Sequence, residues 1–134
     1  MTRHPAVIVH GLADARIALS AGLPVTLLSA PGAALYAGCL WWRELVAAAR
    51  EEHPQAVFDD ILDCADATGR ALAALRISQP AIVLAQETPG FTAVTAIAAG
   101  LGARVLTHRP PALDLGHPAA RRRLLDWLKA TPAG

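Results

Sequence analysis

Residues 61–69 read Ile-Leu-Asp-Cys-Ala-Asp-Ala-Thr-Gly, and they carry the densest chemistry in the chain. A short apolar run ends in acid, thiol, acid and hydroxyl, and a helical pattern follows at once. Asp63 and Asp66 sit three residues apart around the end of that run. A carboxylate pair so placed can hold a divalent metal or carry out acid–base work. The plainer reading gives one of them to a helix cap and the other to a loop hydrogen bond. Cys64 lies between them, close to a helix start, where the dipole lowers a thiol pKa and makes a nucleophile or a redox-sensitive thiol. The plainer reading is a buried cysteine acting as a small hydrophobe.

Other residues of catalytic or binding type stand at the ends of similar apolar runs: His10, Ser29, Glu87, His108 and Arg109. His10 and His108, with Asp63 or Glu87, are the types that ligate a divalent metal, but no HxH or HExxH spacing supports such a site, and none is expected. Ser29-Ala30-Pro31-Gly32 leads into a helical pattern whose first backbone N–H groups near Gly32 could receive a phosphate or carboxylate. The stretch matches neither GxGxxG nor the Walker loop, and a tight strand-to-helix turn also accounts for it.

Absences exclude more than the motifs suggest. The one lysine, Lys129, falls in the last helical pattern, far from any strand end. Schiff-base and pyridoxal phosphate chemistry therefore lack their nucleophile. There is no GxSxG elbow and no rim of stacking aromatics for single-stranded nucleic acid. No motif names a cofactor, and no motif is specific enough to name a family.

The elements that must position these residues follow a repeating pattern. Strands are expected at 7–9, 25–28, 57–62, 81–85 and 104–107. Helices are expected at 12–21, 32–53, 69–77, from about Thr88 to Leu101, and from Pro118 onward. Gly22, Pro54 and Gly102 act as stops, and Thr88 with Pro89 reads as an N-cap followed by a first helical residue. Residues 110–117 read as an extended loop, and the tail 131–134 is expected to fray. Strand alternating with helix five times implies right-handed crossovers and a parallel sheet. The favoured architecture is a three-layer, five-stranded sheet with helices on both faces, in the flavodoxin-like order 2-1-3-4-5. The alternative is a half barrel with strands in sequential order, closed by a partner.

At 134 residues the chain fits one domain, 1–134. Hydrophobic residues make up 54% and charged residues 17%, so the core is large relative to the charged surface. Net charge is +1, which gives no global field toward nucleic acid or an anionic membrane. The basic run Arg121-Arg122-Arg123 reads as the solvated face of the last helix. Residues 17–42 carry no charge, but Gly22, Pro24, Pro31, Gly32 and Gly38 interrupt them, which argues against a membrane span. The two cysteines, Cys39 and Cys64, form no CxxC motif and suit a reducing, cytoplasmic setting. The start, Met1-Thr2-Arg3-His4-Pro5, runs straight into a strand pattern with no signal-peptide character.

Trp41 and Trp42 lie on adjacent faces of the helix expected at 32–53, beside Tyr36 and Leu40. One sheet face can cover only one of those stripes, so a homodimer through this helix is the expected partner arrangement. The leading functional expectation is a small anionic ligand held at the C-terminal edge of the strands, by Arg109, the turn at Gly32 and the loop at Asp63. An enzyme built on Asp63, Cys64 and Asp66 with a histidine, and a non-catalytic assembly module using the tryptophan-bearing helix, are the other two.

Overall fold

The computed structural model describes residues 4–130, so the start of the chain and the tail 131–134 lie outside the described residues. The twelve elements run β1 (Ala6–Ile8), α1 (Leu12–Ser20), β2 (Val25–Leu28), α2 (Ala33–Tyr36), α3 (Cys39–Glu52), β3 (Phe58–Asp63), α4 (Thr68–Arg76), β4 (Ala81–Val83), α5 (Phe91–Leu101), β5 (Arg104–Leu106), β6 (Ala112–Asp114) and α6 (Ala120–Lys129). The strands form one six-stranded parallel sheet flanked by helices, the architecture of a three-layer α/β fold.

The order is β5-β4-β3-β2-β1-β6, which corrects the expected order 2-1-3-4-5. It is sequential over the first five strands, and a sixth lies beyond β1. That sixth strand falls in the expected loop 110–117. Ala112-Leu113-Asp114 has one large apolar side chain and sits next to two prolines, so its strand signal is weak. Pairing with β1 supplies what local propensity does not: Ala6 lies opposite Ala112 and Ile8 opposite Asp114.

The chain falls into two compact units. The first comprises Met1–Leu28, Leu45–Asp60 and Pro110–Gly134. Its core is built on β1 and β2, where Val7, Val9, Val25 and Leu27 have no exposure. All four residues of β2 are buried, the continuous apolar run of a strand covered on both faces. Each such side chain contributes roughly 1.5–3 kcal/mol on leaving water. Thr26 is the polar exception, and its hydroxyl donates to the Asp59 carboxylate. That bond accounts for an acid within β3, where the sequence pattern looked interrupted. Within this unit the Trp127 indole N–H donates to the Ala6 carbonyl at 2.8 Å, tying α6 to β1.

The second unit comprises Ser29–Glu44 and Ile61–Arg109. Ile61, Leu62, Ile82 and Leu84 are wholly buried in it, with Ala71 and Ala74 of α4 and Val94 and Ala98 of α5 facing inward. The helix expected over 32–53 is in fact two. Gly38 adopts φ +88°, a conformation that breaks the helical hydrogen-bond ladder and that only glycine adopts without strain. The break leaves α2 with four residues. It also changes which side chains share a face: Trp42 is wholly buried, while Leu35, Tyr36 and Leu40 are 42%, 70% and 62% exposed. The uncharged run 17–42 is thereby divided among α1, β2, α2 and the start of α3. Among the described residues, no helix is long and apolar enough to cross a membrane.

Candidate functional site

In a parallel sheet the loops after the strands share one edge, where ligands of such folds bind. In the second unit these loops are knitted together by specific bonds. Ser29, just beyond β2, accepts the Asp63 amide on its hydroxyl oxygen at 2.9 Å and donates to the Ala30 carbonyl. Both of its functions are spent, so Ser29 is a brace between two strand ends. The Asp63 carboxylate then works in two directions. One oxygen accepts the Ala65 amide at 2.7 Å, closing an Asx-type turn. The other accepts from Arg109 Nη1 at 2.7 Å.

The turn forces Ala65 to φ +52°, the left-handed region that a Cβ disfavours. The Ala65 carbonyl accepts the Ala85 amide at 2.9 Å, which joins the loop after β3 to the loop after β4. Thr68 adds a second join, its hydroxyl donating to the Pro89 carbonyl. Thr68 is the first residue of α4, and neither it nor Asp66 caps that helix, since no side chain does. The N-terminus of α5 also differs from the sequence expectation. Gly90 at φ +79° is its flanking residue, and Phe91 its first. Thr88 lies in the turn before it, 4% exposed, with a hydroxyl that has no hydrogen-bond partner among the described residues.

Arg109 is the centre of this edge. Its side chain is 24% exposed and that of Asp63 5%, so the ion pair is largely withdrawn from water. Asp63 satisfies one nitrogen of the guanidinium. A second, Arg109 Nη2, is buried with no partner among the described residues. A buried donor left without an acceptor costs about 1–3 kcal/mol, so such groups mark places where a partner is wanted.

The remaining sequence candidates separate around this pair. Cys64 is wholly buried, and burial, then the Asp63 and Cys39 charges, push its thiol up to about 12. It is held as a neutral small hydrophobe, and the geometry around it is not that of a thiolate. Asp66 and Glu87 lie exposed on their loops, with no ion pair among the described residues. His108 is exposed, its Nδ1 3.1 Å from the Thr107 hydroxyl. Gly32 at φ +65° precedes α2, and a four-residue helix has little dipole to offer an anion.

His10 belongs to the first unit, where a different arrangement surrounds it. Its Nε2 lies 2.7 Å from Asp114 Oδ1, and its backbone N–H donates to Asp14 Oδ2 at 2.9 Å. The Gly116 amide donates to the same Asp114 oxygen at 2.8 Å, and His117 Nε2 stands 3.9 Å from the other oxygen. Asp114 was hidden by the reading of 110–117 as a loop. Once it is the last residue of β6, beside the end of β1, its place next to His10 follows from register alone. Burial raises the Asp114 carboxyl, but the His10 hydrogen bond, the Gly116 amide and the two imidazole charges outweigh it and hold the group below the usual carboxylate range. Among the described residues, no group of three histidine, cysteine or acidic side chains is arranged to hold a metal ion. No protein family matches the chain, and no curated protein matches it.

Proposed function

We propose that the chain binds a small anionic ligand at the C-terminal edge of the strands in the second unit, with Arg109 as its anchor. The observation that carries this reading is the buried, unpartnered Nη2 of Arg109, beside a nitrogen already fixed by Asp63. A guanidinium presents its donors in a rigid planar fork. Pinning one side of the fork to a carboxylate that is itself braced by a backbone amide orients the other side in advance. Little side-chain freedom is then lost when an acceptor arrives. The orphaned Thr88 hydroxyl, on the loop after the neighbouring strand, gives the same edge a second buried donor.

Thermal unfolding of the full chain against a panel of small anions at constant ionic strength tests the reading. A binder raises the midpoint in a saturable way, by mass action on the folded state. Arg109→Gln, which shortens the side chain and removes the charge while keeping a polar group, should fold and lose the response. Equal midpoint shifts in wild type and Arg109→Gln, or no shift with any anion, would overturn it.

Self-association is a second reading, favoured by the exposure of Leu35, Tyr36 and Leu40 with the half-buried Trp41 beside them. The partner would be a second copy of the chain, docking on this patch and not on Trp42. Sedimentation at micromolar concentration decides it: a dimer weakened by Leu40→Ser supports it, and a monomer at all concentrations removes it.

A further inference from the structure

We infer that the outer edge of β5, with the exposed face of α5 beside it, is a two-fold interface that takes a second copy of this chain. Two observations within the second unit meet there. The first is the state of the edge. β5 has β4 on one side and, among the described residues, no strand on the other. In a parallel ladder, alternate residues turn their backbone groups to opposite neighbours. The Arg104 amide donates to the Pro80 carbonyl and the Leu84 amide to the Leu106 carbonyl, both at 2.9 Å, so Arg104 and Leu106 face β4. Val105 between them therefore turns its N–H and C=O outward, to the open side. Edge strands that stay single are guarded by proline, charge or a bulge. Pro110 and Pro111 stand directly before β6, the strand at the other edge, whereas Val105, Leu106 and Thr107 include neither proline nor charge.

The second observation is the helix that leads into this edge. α5 packs against β5. Its eleven residues include no charged side chain, whereas α1, α3, α4 and α6 all carry them. Val94 and Ala98 face the core. On the opposite side Ala93, Ile97 and Leu101, spaced four apart, form an exposed apolar stripe with Gly100 beside it, Ile97 at 45% and Leu101 at 61% exposure. An added peptide strand would satisfy the edge and leave this stripe wet. A second copy covers both. A two-fold axis at Val105 pairs β5 with itself antiparallel, each Val105 N–H donating to the other copy's carbonyl. Arg104 then lies opposite the partner's Leu106, which keeps the two guanidiniums at opposite ends. The same axis sets α5 against α5, and an uncharged face meets itself without opposing like charges. Neither the anion reading nor the patch at Leu35, Tyr36 and Leu40 enters this argument.

Sedimentation velocity of the full chain over a micromolar concentration series, with amide hydrogen exchange at both ends of the series, tests it. The expected result is a monomer–dimer equilibrium in which the Val105 amide becomes protected at the concentrated end. Ile97→Glu places a carboxylate at an exposed position, so the monomer should fold as before while dimerisation weakens about tenfold or more. Leu40→Ser should leave both readouts unchanged. A monomer at every concentration overturns the inference. So does a dimer in which the Val105 amide exchanges as fast as in the monomer, or one that Leu40→Ser weakens and Ile97→Glu does not.

Discussion

His10 and Asp114, at the ends of adjacent parallel strands, join side chain to side chain at 2.7 Å. The pair depends on Gly116. A Cβ there would stand 2.8 Å from His10 Nε2 and 3.0 Å from Asp114 Oδ1. Gly116→Ala should therefore break the pair. His10 is exposed enough to swing aside, so the cost should be about 1 kcal/mol and not a failure to fold. Chemical denaturation measures the loss, and the His10 ring resonances should report the break.

Asp114 also sets an acid limit. Its carboxyl lies below the ordinary value of 3.8 in the folded chain. A depressed pKa contributes stability that is complete above the unfolded value and is lost as pH falls through the folded one. The Asp114 contribution should thus be constant at neutral pH and disappear below about pH 4. Asp114→Asn should lower the unfolding midpoint at pH 6 and converge on the wild type at the acid end. Parallel curves across that range would contradict it.

The ion pair of Asp63 with Arg109 should be costly to break from either side. Removing one partner leaves the other charge largely buried, which typically costs about 3–5 kcal/mol. Replacing both with apolar residues should cost less than the sum of the single changes. A double-mutant cycle on Asp63→Ala and Arg109→Ala measures the coupling, expected at roughly 1–3 kcal/mol.

Cys64 and Cys39 should react very differently. With its thiol raised to about 12 and no exposure, Cys64 should resist iodoacetamide in the native protein at pH 8. Cys39 is half-buried and should be modified first. Peptide mass spectrometry after timed quenching distinguishes them. Fast native alkylation of Cys64 would revive the enzyme reading built on it.

Ser78 offers a gain. The amides of Ser78 and Gln79 return to the carbonyls of Leu75 and Ala74, the Schellman closure of α4, with Ser78 at φ +67°. Gly102 holds the equivalent place after α5, with φ +73°. Ser78→Gly should relieve the left-handed strain and raise stability by about 1 kcal/mol, with no effect on anion binding.

The parts of the fold that local chemistry dictates were legible in the sequence. Ala81–Val83 is an uninterrupted apolar run, Val25–Leu28 is apolar but for Thr26, and Gly22 and Gly102 stop their helices. What could not be read depends on tertiary choice. Nothing in the residues of β2 says that it sits between β1 and β3, and Ala112–Asp114 becomes a strand only through pairing. At the candidate site, Arg109 and the Asp63 loop were expected on one edge, but their direct ion pair depends on side-chain placement that the sequence does not state. Thr88 was taken for a helix cap because Pro89 follows it. The αL glycine two positions after Thr88, Gly90, takes that role, and the hydroxyl is left over.

The strand β1 is not an edge strand. It has β2 on one side and β6 on the other, so its second neighbour is contributed only after β2 to β5 have been made. A nascent chain still emerging from the ribosome must keep one flank of β1 open until Ala112–Asp114 is released. Closure of that flank joins segments far apart in sequence, a contact whose loop-closure entropy slows folding. Protection of the Leu115 amide, which donates to the Ile8 carbonyl across that flank, should therefore be the last to develop in a refolding experiment, later than that of β4.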